Sequence, residues 1–274
     1  MAAHLTIASL ANPRVKHVVR LRDRNHRDRH QQFIIEGYRE LLRALESRYA
    51  VEELFICPDF FLGQNEDGLV ALFQAAGTAI IETTPEVFRK MAYRDRPEGL
   101  LGVAPQRHCA LARLVPGNKP LLLVAEAIEK PGNLGTILRS ADATAADGLI
   151  LCDQCTDLFN PNVVRASTGM LFSVPVAEAT SEQALQWLKS LKVAVLAATP
   201  HADCGYTDVD MTVPLAIVIG AEQYGLSRQW LDHADIQVKI PMLGKADSLN
   251  VATATTLLLY EALRQRRSKP SLPR

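Results

Sequence analysis

The chain has 274 residues, with 30 lysines and arginines against 30 aspartates and glutamates, and 48% of its residues are hydrophobic. This balance is typical of a folded globular protein and excludes a disordered or collagen-like chain. Zero formal net charge means that any binding of nucleic acid must depend on a local basic patch. At roughly 100–200 residues per domain, the length favours two domains.

The sequence predicts neither a membrane span nor a secretory signal. No apolar run reaches the roughly 18–20 residues that cross a bilayer, and the start MAAHLTIASLANPRVK lacks the apolar core and cleavage pattern of a signal peptide. Five scattered cysteines, an odd number, favour reduced thiols over a disulfide framework. We therefore expect a cytoplasmic protein.

Residues 1–48 are locally basic. Arginine recurs every two or three residues in RLRDRNHRDRHQQF, interrupted by two aspartates. A solvated, salt-bridged helix face and an RNA-facing patch explain this pattern about equally well. The arginines that would form the RNA-facing patch are Arg20, Arg22, Arg24 and Arg27.

After this segment, strand-like and helix-like patterns alternate, which indicates an α/β domain. Strands are predicted at 33–37, 51–57, 78–83 and 99–105, and helices at 38–47 and 69–76. The next stretch, 105–120, contains three prolines and no sustained periodicity. We therefore predict an N-terminal domain over 1–106 and a linker over 107–119.

The second half predicts a parallel sheet, because its apolar runs are continuous, as in strands that are buried on both faces. These runs occupy 121–128, 148–152, 193–199, 215–220 and 236–241, and helical patterns occupy 134–146, 182–191, 226–233 and 249–266. The second domain is predicted over 120–268, and a loose basic tail over 269–274.

Open parallel sheets bind ligands beyond the carboxyl ends of their strands, so the loops there are the candidate site. The first such loop is in EKPGNLGTILRSADA, where Asn133 can cap a helix and Arg139 lies off the apolar stripe of that helix. A single helical arginine is more often a surface salt-bridge donor than a functional group. This loop alone therefore indicates little.

Two further loops combine glycine with polar side chains. In IVIGAEQYGLS, Gly220 lets backbone groups meet a ligand and Glu222 can accept a proton, although a flexible turn with a solvated glutamate fits as well. In IPMLGKADSLNVATA, Asp247 and Ser248 are candidate caps of a long helix whose start can hold an anion. A well-capped helix without a ligand explains that third pattern too.

Other common site motifs are absent from the sequence. It contains no GxGxxG, no P-loop and no nucleophile elbow. Cys152 and Cys155 lack a second ligand pair, and the histidines are too scattered to complete a zinc site, so we expect no metal.

Taken in order, the three loops resemble the three motifs of the SpoU (TrmH) family of RNA 2′-O-ribose methyltransferases, in the SPOUT superfamily. The resemblance is sharpest over 121–266, and NPNVVRASTGMLFSVPV at 160–176 resembles the family's second strand–helix unit. Residues 9–104 resemble the small α/β domain, similar to a ribosomal protein, with which many members bind RNA.

The resemblance implies a C-terminal domain with a deep trefoil knot that binds S-adenosylmethionine, and a homodimer in which both chains complete each active site. The implied catalytic residues are Asn133, Arg139, Glu222, Ser248 and Asn250, the implied cofactor-binding residues are Gly220, Ile240, Met242 and Leu249, and the implied RNA contact between motifs is Arg165.

The implied reaction is attack of a ribose 2′-hydroxyl on the sulfonium methyl, which requires no metal. Arginine is effectively never deprotonated in proteins, so we do not expect Arg139 to accept the proton of the 2′-hydroxyl. We expect Arg139 to hold the phosphate beside the target ribose and Glu222 to accept that proton. Ribosomal RNA of the large subunit, 23S, is the favoured substrate. The alternatives are transfer RNA methylation, a non-catalytic role in RNA binding or ribosome assembly, and an unrelated α/β enzyme for a small molecule.

Overall fold

The computed structural model describes residues 5–267, and the predicted tail over 269–274 lies outside them. Contacts divide the described chain into two compact units, one made of residues 5–107 and 157–173 and the other of residues 108–156 and 174–267. Within this described part, no helix combines the length and apolarity needed to cross a membrane.

The first unit contains a five-stranded mixed sheet. Its elements up to residue 107 are β1 (Leu5–Ile7), α1 (Pro13–Arg20), α2 (Arg24–His30), β2 (Gln32–Glu36), α3 (Tyr38–Glu46), β3 (Glu53–Ile56), α4 (Glu66–Ala75), β4 (Ala79–Thr83), α5 (Pro85–Met91) and β5 (Leu100–Pro105). The strand order is β1-β4-β3-β5-β2, and β5 runs antiparallel to both of its neighbours. All four strands predicted here are confirmed, whereas the sequence did not predict β1, α1, α2 or α5.

The second unit contains the large parallel sheet. The remaining elements are β6 (Leu121–Glu126), α6 (Pro131–Ala143), β7 (Gly148–Cys152), α7 (Pro161–Ser167), β8 (Val176–Ala179), α8 (Ser181–Ser190), β9 (Ala194–Ala198), β10 (Cys204–Gly205), β11 (Leu215–Ile219), α9 (Arg228–His233), β12 (Ile236–Lys239) and α10 (Val251–Arg267). Seven strands pair in the order β10-β12-β9-β11-β6-β7-β8, all parallel. The predicted α/β class and parallel sheet are confirmed, and the knot stays a prediction.

Residues 157–173, which include α7, pack with the first unit, although the domain bounds predicted from the sequence put them in the second. The Arg27 guanidinium donates to Asp157 Oδ2 from Nε at 2.9 Å and from Nη2 at 2.5 Å. The rings of Phe33 and Phe159 lie 4.8 Å apart. Boundary signals in a sequence are local, so they do not reveal an excursion whose contacts lie 130 positions away.

A buried polar network fixes α8 and α9 against the parallel sheet. Trp230, fully buried in α9, donates from Nε1 to Ser181 Oγ at 2.8 Å. The carboxylate of Glu126, at the end of β6, accepts from the backbone N–H of Ser227 at 2.8 Å and from Ser181 Oγ at 3.4 Å. Buried polar groups need such partners, and this network holds the start of α9 at the carboxyl edge of the sheet.

The last helix is fastened at its end by Arg266. Its guanidinium donates to the carbonyl oxygens of Met211 at 3.0 Å, Val213 at 2.6 Å, Lys119 at 2.9 Å and Pro120 at 3.0 Å. These contacts hold the end of α10 against the segments that lead into β6 and β11. This arginine of the basic RQRR run is therefore a structural residue.

Candidate active site

Side chains from three loops meet at the carboxyl edge of the parallel sheet. Strands β6 and β11 are neighbours, with Ala125 opposite Ile219, so their loops leave the sheet side by side. Glu222 Oε1 accepts a hydrogen bond from Asn133 Nδ2. Asn250 Nδ2 lies 3.3 Å from the same carboxylate oxygen and 3.2 Å from Asn133 Oδ1. We refer to Asn133, Glu222 and Asn250 as the edge cluster.

Asn250 also caps α10. Its Oδ1 accepts from the backbone N–H groups of Ala252 at 3.0 Å and Thr253 at 3.4 Å, which are orphan donors of the first turn. The cap predicted at Asp247 or Ser248 is therefore wrong by two residues or more, because the helix begins at Val251. Capping through Oδ1 leaves the Nδ2 donor of Asn250 directed at the edge cluster.

Asn133 is a helix residue and not a cap, contrary to the prediction. Helix α6 already begins at Pro131, with Lys130 at the capping position and no side-chain cap. Proline suits the first helical position, because its missing N–H is not needed there. The carboxamide of Asn133, freed from capping, bonds Glu222 instead.

Lys130 is a member of the site that the sequence reasoning missed. Its ammonium donates to Glu222 Oε2, the oxygen that the edge cluster does not use. This hydrogen bond, together with the negative charge of Glu222, raises the pKa of Lys130 above its ordinary value. Both oxygens of Glu222 are thus engaged, although the Lys130 side chain is 67% exposed. An exposed lysine follows no hydrophobic pattern, so only its position beside Pro131 offered a signal.

The loop that carries Glu222 requires glycine at its base. A Cβ atom at Gly220 would lie 2.3 Å from both C and O of Gly225 and 2.5 Å from the backbone nitrogen of Leu226. Gly225 has φ +66°, and the loop closes through a bridge between Ala221 and Gly225. Gly220 therefore packs closely against the backbone of its own loop, and this packing places Glu222 at the turn of the loop.

Arg139 and Ser248 are not in contact with the edge cluster of their own chain. Arg139 is exposed on α6 and makes no hydrogen bond or ion pair with any residue in the range 5–267. It lies six residues after Asn133, which corresponds to about 9 Å along the helix and a different face. Ser248 is exposed in the loop before α10, again without a hydrogen bond to the described residues.

The predicted cofactor residues lie in loops at the same edge. Gly220 follows β11, and Ile240 and Met242 follow β12, which is separated from β11 only by β9. These three residues are half-buried, and Leu249 is 37% exposed. Chain segments 220–227 and 240–250 are irregular and do not continue the strands that precede them.

The prediction that Arg27 binds RNA is wrong. It is 1% exposed and paired with Asp157, and its Nη1 donates to the carbonyls of Leu21 at 2.8 Å and Arg22 at 2.7 Å. A buried guanidinium with these partners cannot reach a phosphate. Its role is to hold α2 in place within the first unit.

The other four predicted arginines are exposed, but only three have guanidinium groups available at the surface. Arg22 Nη2 donates to three carbonyl oxygens at the end of α5, those of Lys90, Met91 and Ala92. Arg24 makes a half-exposed ion pair with Asp28 at 3.5 Å, which is easily exchanged for a phosphate contact. Arg20 and Arg165 are the other exposed arginines of this set.

Comparisons with known proteins agree on one family. Residues 120–260 match the model of the SpoU rRNA Methylase family, and residues 12–102 match the MRM3-like substrate binding domain. A 23S rRNA (uridine(2479)-2′-O)-methyltransferase of Streptomyces viridochromogenes is 35% identical over 90% of this chain and 87% of its own length. The 23S rRNA (guanosine(2553)-2′-O)-methyltransferase RlmP of Bacillus subtilis is 29% identical over 93% and 97%.

Solved structures resemble the chain along its length. A crystal structure of an AdoMet-bound rRNA methyltransferase from Sinorhizobium meliloti, 32% identical, matches with a TM-score of 0.88 over 96% of this chain and 98% of that one. A crystal structure of an RNA 2′-O ribose methyltransferase, 41% identical, matches with a TM-score of 0.84 over 96% and 99%. Both units of the chain are therefore covered by these relatives.

Proposed function

The chain belongs to the SpoU rRNA methylase family, and from that premise we propose that it methylates a ribose 2′-hydroxyl of RNA, using S-adenosylmethionine, with 23S ribosomal RNA as substrate. The observation that carries this proposal is the edge cluster, in which motif residues from three loops meet at one sheet edge. A non-catalytic role would leave this cluster without a purpose.

S-adenosylmethionine supplies an electrophilic methyl on a sulfonium when it is bound. Gly220, Ile240, Met242 and Leu249 are the residues we propose to hold it. The fit rests on their position, because they line irregular main chain at the carboxyl edge of a parallel sheet, where such folds bind ligands. The apolar side chains of Ile240, Met242 and Leu249, beside the polar main chain of these segments, suit a ligand with both polar and apolar parts.

Glu222 is the proposed acceptor of the 2′-hydroxyl proton. Asn133, Asn250 and Lys130 fix the orientation of its carboxylate through hydrogen bonds to both oxygens. Arg139 is proposed to grip the phosphate next to the target ribose and to stabilise the developing alkoxide, with Ser248 orienting the substrate. Preorganised donors of this kind contribute about 3 kcal/mol to a transition state.

We propose that Arg139 acts on the edge cluster of a second copy of the chain, since it does not touch that of its own. A homodimer through the second unit has support from exposed apolar side chains there. Leu257 and Tyr260, three positions apart on α10, are 38% and 48% exposed, and Leu243 in the neighbouring loop is 99% exposed. Exposed apolar groups so arranged are typical of a protein interface.

Mixing two inactive variants tests the shared site directly. In a heterodimer of Arg139→Ala and Glu222→Ala chains, one site has both wild-type residues and the other has neither. Random exchange makes half of the dimers heterodimers, so activity returns to about a quarter of the wild-type level. Activity that stays at the level of the separate variants would place both residues in the same chain's site.

RNA binding is assigned to the first unit, through Arg20, Arg24 and Arg165. The match of residues 12–102 to a substrate binding domain supports this assignment. If several phosphates are neutralised, methyl transfer falls steeply between about 50 and 200 mM salt, and each lost phosphate contact reduces the logarithmic salt slope by about one. Arg20→Ala with Arg24→Ala should flatten the slope by about two, whereas Lys189→Ala on α8 should not change it.

The function itself is tested with purified chain, S-adenosylmethionine carrying a labelled methyl group, and ribosomal or transfer RNA from cells that lack the gene. We expect label in the ribose 2′-O position of one nucleotide of 23S ribosomal RNA. Label in transfer RNA instead would make transfer RNA the substrate. Binding of the cofactor without methyl transfer would favour the non-catalytic alternative. Near-normal turnover of Glu222→Gln together with an inactive Arg139→Lys would contradict the division of roles between Glu222 and Arg139.

The proposed substrate and the free thiols both fit a cytoplasmic location.

A further inference from the structure

Three histidines of the first unit converge outside the proposed active site. His17 lies on α1, and His26 and His30 lie four positions apart on α2, so that they share one helix face. Their ring centroids are 4.3 to 5.1 Å apart. One ring nitrogen from each can be chosen so that all three lie within 4.8 Å of one another.

Hydrogen bonds fix which nitrogen of His17 carries the lone pair. Gln32 Nε2 donates to Glu52 Oε2 at 2.5 Å, and a carboxylate can only accept, so Gln32 Oε1 faces the other way. Gln32 Oε1 lies 2.8 Å from His17 Nε2 and must accept from it. In the neutral imidazole with this tautomer, Nδ1 of His17 carries the lone pair, and it lies 3.1 Å from His26 Nε2.

This arrangement has the features of a metal-binding site. Histidine ligands of zinc commonly donate their second N–H to an oxygen, which sets the tautomer and the ring orientation. Zinc–nitrogen bonds of about 2.0–2.1 Å in tetrahedral geometry put two ligand nitrogens about 3.4 Å apart, near the spacing of His17 and His26. His30 is exposed at the end of α2 and has a ring nitrogen within 4.8 Å of one from each of the other two histidines.

We propose that His17, His26 and His30 bind one divalent transition metal of the zinc type, with water or another small ligand in the fourth position. The site would join α1 to α2 and, through Gln32, to the start of β2. The sequence predicted no metal because its histidines are scattered along the chain, and only the packing of α1 against α2 brings these three together.

The charges around the cluster determine which metal it would take. Arg20 on α1 and Arg29 on α2 lie close enough for their positive charges to act on His26. Nearby positive charge disfavours cations that are held by charge alone, such as Mg²⁺. Neutral imidazoles bind through their lone pairs and prefer Zn²⁺, Ni²⁺, Co²⁺ and Cu²⁺.

The test is equilibrium dialysis of the chelator-treated full-length chain against zinc chloride, with magnesium chloride as the comparison. We expect one Zn²⁺ per chain and no Mg²⁺. His30→Ala, at an exposed position that should fold normally, and His26→Ala should each weaken zinc binding at least tenfold. Gln32→Leu, which removes the acceptor that orients His17, should weaken it about 10–100-fold. His233→Ala, outside the cluster, should have no effect.

Cobalt distinguishes this site from the free thiols of the chain. Co²⁺ bound by imidazoles lacks the thiolate charge-transfer absorption that binding at Cys109 or Cys155 would produce. Zinc binding that survives both His26→Ala and His30→Ala, thiolate absorption with cobalt, or no bound zinc in the wild type would each overturn the proposal. None of these results bears on methyl transfer, so the site stands or fails independently of the proposed function.

Discussion

Replacing Arg27 by methionine should destabilise the first unit strongly. The side chains of Arg27 and Asp157 are 1% and 9% exposed, and Arg27 makes four hydrogen bonds, two to Asp157 and two to backbone carbonyls. Methionine retains the packing but leaves Asp157 as a buried charge without its partner. Breaking such a pair from one side costs about 3–5 kcal/mol.

Hydrogen exchange of the full-length chain measures this loss in the right place. Amides of α2, β2 and α7 that exchange through unfolding of the first unit should exchange about 140- to 4,000-fold faster, since each 1.4 kcal/mol is a factor of ten. The fluorescence of Trp187 and Trp230 reports the second unit separately, because both tryptophans lie there.

The double variant Arg27→Met with Asp157→Leu is the matched control. Replacing both partners of a buried pair by apolar groups is often neutral, so most of the lost stability should return. A loss below about 1 kcal/mol in Arg27→Met would refute the argument that this pair is buried and energetically coupled. If Arg27→Met weakened RNA binding but left the amide exchange rates unchanged, Arg27 would be an RNA-binding residue after all.

Three further predictions concern the second unit. Asn250→Ser keeps a capping side chain but loses the amide donor to Glu222, so it should lower kcat in a methyl transfer assay. Its free energy of unfolding, measured by urea denaturation, should fall by less than that of Asn250→Ala, where the lost cap costs about 1 kcal/mol. Gly220→Ala should abolish cofactor binding measured by calorimetry, because its Cβ would overlap the backbone of the loop, whereas Gly68→Ala, with nothing within 4 Å, should not. Burial, followed by the nearby carboxylates, raises the pKa of Cys152 to about 12, so at pH 8 iodoacetamide should label exposed Cys155 and spare Cys152 in the folded chain, as peptide mass spectrometry would show; equal labelling would contradict this.

Strands of the parallel sheet were predictable because they are buried on both faces. β7 and β11 are buried along their whole length, so each reads as a continuous apolar run with no competing helical pattern. The end of α6 was harder to predict from the sequence. It lies at Ala143, three residues before the predicted end, because Ala145 adopts φ +53°, a left-handed conformation that a right-handed helix cannot contain.

The helices of the basic segment were not predictable to the same degree. Asn12 and Pro13 carry a recognisable start signal for α1, with the Asn12 side chain accepting from Arg14 N at 2.9 Å. Helix α2 has no apolar face at all, and its buried member is Arg27. What holds it is a carboxylate from a distant part of the chain, and no local pattern contains that information.

Sequence motifs identified the three residues of the edge cluster, but they missed Lys130 and did not reveal that Arg139 and Ser248 lie apart from the cluster. Motif order identified Asn133, Glu222 and Asn250, and the pairing of β6 with β11 explains why the loops carrying the first two meet. The separation of Arg139 from Glu222 is a consequence of helix geometry, since six residues of α6 rotate a side chain away from the sheet edge. Under the proposed roles, a folded single chain orients the proton acceptor Glu222, whereas stabilisation of the alkoxide by Arg139 would need a second chain. Dimer formation would then control turnover, and activity per chain should fall on dilution below the dimer dissociation constant while cofactor binding to the loops persists.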